Sequence, residues 1–345
     1  MKVSLFTPGR FDVPLRMLSE LPEGLLDCRA EELLAVLGGP TLIHLSAARE
    51  SSLFVSVLLH GNETSGWDGL RRYLADQPEL SRGMTIFIGN VAAASQGLRV
   101  LPDQPDFNRI WNGATGAGGA LAQAVRSAIA DRSLFAAVDL HNNTGHNPYY
   151  AVVTDLQPEN LGLAYLFSDK AVYVREPDTV LTREFARRCP AITLEVGPVG
   201  DARCEQRVYD YLNRAMELDA VPTATPAEFN LFRALGRVHV RRGIDFSFAD
   251  DELDTPLVLT GGVEAINFHE LAAGSRFGTT TLGIDAVLNV LDVDHRDVTA
   301  EFFEIDGDEI LLKRSVVPAM YTTDPYVVRQ DCLCYFMDRM DAESG

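Results

Sequence analysis

Residues 53–63 read LFVSVLLHGNE, and this stretch is the strongest indication of the fold class. Its first part, Leu53–Leu59, is apolar at every position but one, a pattern typical of a strand that is buried on both faces. Polar residues follow at once, from His60 to Glu63. Open α/β sheets bind their ligands at the carboxyl ends of such strands. We therefore expect an α/β fold with a functional site directly after this strand.

The segments around this strand alternate between strand-like and helix-like patterns as far as residue 225. Short apolar runs indicate buried strands, and longer runs with helical spacing indicate helices. This alternation favours a sheet with helices packed on its faces. The predicted strands are Met84–Ile88, Ala136–Leu140, Tyr149–Thr154 and Ala191–Val196, and the predicted helices are Trp67–Leu74, Ala117–Asp131, Leu181–Arg188 and Cys204–Leu218.

The pattern changes after the Pro- and Thr-rich segment Val221–Pro226, which reads as a linker. Short strand-like runs separated by Gly and Asp turns follow it. We therefore expect one domain over residues 1–225 and a smaller, mostly-β domain over residues 226–345. The predicted strands of the second domain are Arg237–Val240, Pro256–Leu259, Glu264–Phe268, Ile310–Leu312 and Tyr326–Val328.

The composition excludes two classes of partner. The 345 residues include 30 Lys and Arg against 49 Asp and Glu, a formal net charge of −19. Binding to nucleic acid or to anionic lipid requires clustered Lys and Arg, so the sequence predicts neither partner. No apolar run is long enough to span a membrane, and the N-terminal apolar stretch is too short for a secretory signal. We expect a cytoplasmic protein.

Three further motifs carry polar residues of the kind that catalysis uses. Two of them close predicted strands, and the third lies in a loop after the strand that ends near Asn90. In chain order they are DFNR at Asp106–Arg109, DLHNNTG at Asp139–Gly145 and TLEVG at Thr193–Gly197.

The histidines of these motifs suggest a metal site. His60 and Glu63 are separated by two residues, so their side chains can converge across a turn that leaves a strand. His141 can join them if its strand lies beside the first, and two His with one Glu form a known catalytic zinc set with a fourth position open. Asp139 lies on the same strand face as His141 and can accept the second ring N–H of His60 or His141. The alternatives are a histidine satisfied in the core or at the surface and an Asp139 that caps a helix or forms a salt bridge.

Taken together, HGNE, DFNR, DLHNNTG and TLEVG resemble the succinylglutamate desuccinylase/aspartoacylase family of the zinc carboxypeptidase-like clan. The resemblance extends over residues 45–215, with the motifs in matching order. It implies a zinc-carboxypeptidase-like mixed sheet flanked by helices, which makes residues 1–225 a catalytic domain. The β-rich residues 226–345 fit the family's C-terminal domain by composition only.

The resemblance also implies roles for individual residues. His60, Glu63 and His141 bind one zinc ion per subunit, and Glu195 is the general base and acid. Such a carboxylate takes a proton from water and delivers it to the leaving amine. Arg99 is the match to a family arginine that stabilises the oxyanion.

The remaining implied residues bind substrate. Asn108 and Arg109 hold a substrate carboxylate, for which the planar guanidinium offers two parallel hydrogen bonds. Apart from the resemblance, Asn142 directly follows His141 in DLHNNTG, and we expect it to line the substrate pocket. The predicted activity is a zinc-dependent amidohydrolase that deacylates an N-acyl amino acid, a small-molecule substrate. A carboxypeptidase-like peptidase or esterase with the same site, and a non-enzymatic zinc- or ligand-binding protein, are the alternatives. A homo-oligomer is left open.

Overall fold

The computed structural model describes residues 14–143, 145–249 and 255–340. The strands are β1 (Arg16–Leu18), β2 (Thr41–Leu45), β3 (Arg49–Val57), β4 (Arg82–Ile88), β5 (Leu134–Asn143), β6 (Tyr150–Val153), β7 (Lys170–Tyr173), β8 (Ala191–Pro198), β9 (Asn230–Val240), β10 (Phe246–Phe248), β11 (Leu257–Leu259), β12 (Arg276–Thr280), β13 (Leu288–Asp292), β14 (Phe303–Asp306), β15 (Glu309–Leu312), β16 (Val317–Ala319) and β17 (Cys334–Arg339). The helices are α1 (Leu33–Leu37), α2 (Ser65–Asp76), α3 (Val91–Ala94), α4 (Gly116–Ala128), α5 (Pro158–Phe167), α6 (Leu181–Phe185), α7 (Arg203–Glu217), α8 (Ile284–Val287), α9 (Thr299–Phe302) and α10 (Pro325–Gln330).

The chain divides into two compact units. The first contains the described residues up to His141 together with Asp178–Ala191 and Val208–Asp219. The second contains Asn142–Pro177, Ile192–Arg207 and the described residues from Ala220 onward. The division of the sequence at residue 225 is a different one and stays a prediction.

The first unit contains a mixed sheet in the strand order β1-β2-β4-β3-β5. β1 and β2 are parallel, β2 and β4 are antiparallel, and β4, β3 and β5 run parallel to one another. The inner residues of β3, Leu53–Val57, and the whole of β4 are buried, as the continuous apolar runs predict.

Helices cover both faces of this sheet. Phe54 and Ala137 face one side, where they share a core cluster with residues of α4 and α6. Successive strand residues point to opposite faces, so Val57 and Leu140 face the other side. There α2 comes close enough that a Cβ on Gly66 would lie 2.9 Å from the Leu140 Cβ. A mixed sheet flanked by helices is thus confirmed.

The second unit contains strands in the order β8-β6-β7-β9-β17-β16, with β13 also paired to β9, and a smaller sheet in the order β10-β11-β12-β15-β14. The smaller sheet lies wholly within residues 226–345, which are β-rich as predicted. Side chains of both strand sets form one core cluster, in which Val238 and Phe336 pack with Leu259, Phe277 and Ile310.

Two predicted strands of the C-terminal region are wrong. Residues Val263–Ile266 form a 3₁₀ turn where a strand over Glu264–Phe268 was expected. The expected strand Tyr326–Val328 lies in helix α10, because the Asp324 carboxylate caps the backbone N–H groups of Tyr326 and Val327. Pro325 occupies the first helical turn, where its missing N–H costs nothing. A short apolar run cannot distinguish a strand from a turn of helix, and here the cap decides.

None of the described helices combines the length and apolar character needed to cross a membrane.

Candidate metal centre and active site

The turn after β3 carries the first two candidate ligands. His60 and Glu63 are both buried, and Nδ1 of His60 lies 2.8 Å from Oε1 of Glu63. Gly61 between them allows a very close approach to α3, since a Cβ there would lie 2.2 Å from the Ala94 backbone nitrogen. The turn therefore depends on glycine at this position.

His141 joins these residues from the neighbouring strand. β5 runs parallel to β3, with Ser56 opposite Asp139, so His141 lies beyond the end of the paired segment. Its Nδ1 lies 2.7 Å from Oε2 of Glu63. One potential ligand atom from each of His60, Glu63 and His141 lies within 4.8 Å of the others. The three side chains predicted as ligands thus form one buried group that can hold a metal ion.

Each imidazole places its other nitrogen against a second carboxylate. His60 Nε2 lies 3.1 Å from Asp106 Oδ1, and His141 Nε2 lies 2.8 Å from Asp139 Oδ2. Such contacts orient a ligating histidine and leave Nδ1 for the metal. The contact predicted for Asp139 is confirmed, with His141 as its partner. The role of Asp106 was missed, although it lies in DFNR two residues before Asn108.

The electrostatics of the group match a cation site. Burial alone would raise the pKa of Glu63, but the two histidines hold it well below its ordinary value. For His141, burial acts downward, and the carboxylates of Asp139 and Glu63 raise its pKa well above the usual range. Burial would also raise the pKa of Asp106. His60, Arg109 and Arg99 outweigh that effect and lower this pKa below its ordinary value. Three carboxylates around two imidazoles therefore favour positive charge here.

Arg99, Asn108 and Arg109 lie around this cluster. Arg99 Nη1 is 3.4 Å from Glu63 Oε1, and its Nη2 is 3.5 Å from Asp106 Oδ2. Asn108 Nδ2 is 3.4 Å from His141 Nε2, while its Oδ1 accepts the backbone N–H of Leu181 at 3.1 Å. Arg109 donates from Nη1 to the Asn108 carbonyl at 2.9 Å. The loop that carries DFNR thus lies directly beside the candidate ligands His60 and His141.

Glu195 and Asn142 belong to the second unit. Glu195 lies on β8 opposite Tyr150 of β6 and is 9% exposed. Burial and the Glu195 charge raise the pKa of Tyr150 well above its usual value. The Asn142 side chain donates from Nδ2 to the Gly197 carbonyl at 2.8 Å. Its amide nitrogen therefore binds the backbone of β8.

Residues 50–217 match the family model described as the succinylglutamate desuccinylase/aspartoacylase catalytic domain. This segment belongs to that family. The match includes all four motifs and confirms the resemblance drawn from them. Membership supports a hydrolase of the desuccinylase/aspartoacylase type. No curated protein sequence matches the chain.

Solved structures of a murine aminoacylase and of two bacterial proteins named for succinylglutamate desuccinylase have a similar fold. Murine aminoacylase 3 is 18% identical with a TM-score of 0.58, and the alignment covers 86% of this chain and 97% of that one. A succinylglutamate desuccinylase/aspartoacylase from Rhodobacter sphaeroides is 16% identical with a TM-score of 0.58, covering 86% and 88%. The succinylglutamate desuccinylase from Chromobacterium violaceum is 16% identical with a TM-score of 0.53, covering 85% and 86%. At these identities the likeness shows the fold alone.

Proposed function

We propose that the protein is a zinc-dependent amidohydrolase that removes the acyl group from a small N-acyl amino acid. The observation that carries this proposal is the convergence of His60, Glu63 and His141 within 4.8 Å, inside a catalytic domain of this hydrolase family. A binding protein has no need for a general base, and TLEVG supplies a carboxylate suited to that role at Glu195.

The donor set fits zinc. Two imidazole nitrogens and one carboxylate are common ligands of this ion, and three protein ligands leave a fourth position for substrate or water. Zinc, when bound, lowers the pKa of water and polarises a carbonyl group. The carboxylates of Asp106 and Asp139 contact the Nε2 atoms of the two rings, whose Nδ1 atoms both face Glu63.

The chain's own residues supply the remaining roles. Arg99 already lies against Glu63, and its guanidinium is partly exposed and able to stabilise negative charge on the amide oxygen. Arg109 and Asn108 bind the substrate carboxylate, and Asn142 helps to shape the pocket. Glu195 takes a proton from water and returns it to the departing amine.

The substitution Glu195→Gln tests the proposal. It preserves size and shape but cannot carry a proton, so turnover of N-acyl amino acids should fall by about 10²–10⁴. Zinc content and melting temperature should stay at their wild-type values because Glu195 is not proposed as a ligand. Glu304→Gln, which removes an exposed strand carboxylate, is the matched control and should leave turnover unchanged.

The substrate panel should contain N-acyl amino acids, their carboxyl esters and short peptides. Turnover of the variant within about tenfold of wild type at full zinc content would contradict the role of Glu195. Preferential cleavage of peptides or esters would favour the peptidase or esterase alternative instead.

A further inference from the structure

The backbone just after Glu195 is held by side chains. The pairing between β8 and β6 ends at Glu195. This residue lies opposite Tyr150, the first residue of β6. The next carbonyl, of Val196, accepts a hydrogen bond from Arg207 Nη1 at 2.9 Å. The carbonyl after that, of Gly197, accepts from Asn142 Nδ2 at 2.8 Å. Two side-chain donors thus fix the peptide groups that follow the catalytic carboxylate.

Arg207 is itself well restrained. Its side chain is 21% exposed, and its guanidinium lies 4.6 Å from the centre of the Tyr149 ring. The same Nη1 lies 3.7 Å from Cys204 Sγ and 3.9 Å from Asp201 Oδ2. A guanidinium stacked on an aromatic face and bonded at its edge has little freedom to move. It can therefore act as a fixed point for the end of β8.

Gly197 is the residue that allows this contact. Its φ is 121°, a conformation that side chains rarely adopt. A Cβ there would lie 2.9 Å from Arg207 Nη1 and 2.9 Å from Cys204 Sγ. The glycine of TLEVG thus lets the chain turn and lets the guanidinium come close to the strand end.

We propose that Arg207 is a positioning residue that sets the direction of the Glu195 carboxylate by fixing the Val196 peptide group. This inference rests on the proposed function, in which Glu195 moves the proton. Proton transfer requires donor and acceptor within hydrogen-bond reach, and a displacement of about 1 Å can cost up to about 10²-fold in rate. Loss of the Arg207 bond frees the Val196–Gly197 peptide group, one residue beyond Glu195, and should produce such a displacement.

The test is a double-mutant cycle between Arg207 and Glu195. Arg207→Met keeps an apolar stem of similar reach but cannot donate a hydrogen bond. In the wild-type background it should lower kcat about tenfold to hundredfold, with KM within about threefold. In the Glu195→Gln background it should cause no further loss beyond about twofold, since there is no proton shuttle left to position. Residual rates are measured in single turnovers at high enzyme concentration, with zinc content and melting temperature for each preparation.

Two matched variants sharpen the test. Arg207→Lys retains a donor for the Val196 carbonyl and should recover most of the lost kcat. Arg203→Met removes an arginine one turn earlier on α7, whose guanidinium is 77% exposed and bonded to Asp201, and should change kcat by less than about twofold.

Three outcomes would overturn the inference. Unchanged kcat in Arg207→Met is the first, and an equal fold loss in both Glu195 backgrounds is the second, since a purely structural role is additive. If Arg207→Met does not fold, Arg207→Gln takes its place in the same cycle, and an additive loss there is the third. High turnover in Glu195→Gln alone is a different result, because it contradicts the proposed function rather than the role of Arg207.

Discussion

At the scale of single residues, the orientation of the candidate ligands His60 and His141 depends on two carboxylates outside the group that can hold a metal ion. Asp139 is fully buried, with one oxygen on His141 Nε2 and the other accepting the Ser56 hydroxyl. Asp106 plays the same part for His60. A buried charge in such a position is stable only because its partners satisfy it. The ring orientation of each histidine therefore depends on an aspartate that contacts the ring from outside the group of three candidate ligands.

Replacing Asp139 tests this dependence. Asp139→Asn directs a neutral amide at His141 and should weaken zinc binding about tenfold to hundredfold, the usual effect of losing a partner that orients a ligand. Competition with a chromophoric chelator measures the dissociation constant.

Ser56→Ala is the control for this substitution. It removes the other partner of Asp139 but leaves the contact with His141, so zinc affinity should stay within about threefold of wild type. Wild-type affinity in Asp139→Asn would show that the carboxylate does not orient the ring.

At the scale of elements, the turn between β3 and α2 depends on how closely it packs against α3. The backbone N–H of Gly61 donates to the Arg99 carbonyl at 2.9 Å, so the same glycine connects the ligand turn to the segment that carries Arg99. The atoms nearest to a Cβ at this position include backbone atoms of Ala93 and Ala94, which cannot rotate away.

Gly61→Ala should therefore destabilise the fold by about 1–3 kcal/mol, the usual cost of overpacking, and should lower zinc occupancy by displacing His60 and Glu63. Chemical denaturation and elemental analysis measure the two effects. Gly283→Ala adds the same methyl group where nothing lies within 4 Å and should leave both unchanged. A wild-type result in both measurements for Gly61→Ala would contradict the steric argument.

At the scale of the whole molecule, each unit has its own apolar core. Phe54, Phe87 and Trp111 belong to a cluster of the first unit, and Phe277 and Phe336 belong to one of the second. Cores of this kind supply most of a domain's stability, in contrast to small zinc domains that unfold without metal.

Removal of the metal should therefore abolish turnover but not folding. After chelation, far-UV circular dichroism should be unchanged at 25 °C, and the melting temperature should fall only by the stabilisation that ligation provides. Added zinc should restore turnover. The melting temperature of Glu63→Gln, which lacks one proposed ligand, should respond much less to the chelator. Unfolding of the wild-type protein on chelation would contradict this prediction.

The amino-acid pattern was enough to predict the α/β fold class and to identify the three candidate ligands. Alternating apolar strands and helices indicate an α/β sheet because their periodicities differ, and Leu53–Leu59 is apolar because it is buried on both faces. His60, Glu63 and His141 were identifiable because they lie at or just after the carboxyl ends of such strands, where parallel strands bring distant residues together. The motifs of Glu195 and Arg109 were equally visible, while their roles stay predictions.

The groups that contact these three side chains become visible only in the folded chain. Asp139 could have served either histidine, and in the structure it contacts His141 on the same strand. Asp106 reaches His60 across 46 residues of chain, and Arg207 reaches the Val196 carbonyl because Gly197 leaves room for its guanidinium. The contacts of Asp106 and Arg207 follow no periodicity, because they depend on how the chain folds and on the directions of individual side chains. Local sequence specifies strands and motifs, but the partner of a buried polar atom is fixed only when the chain is packed.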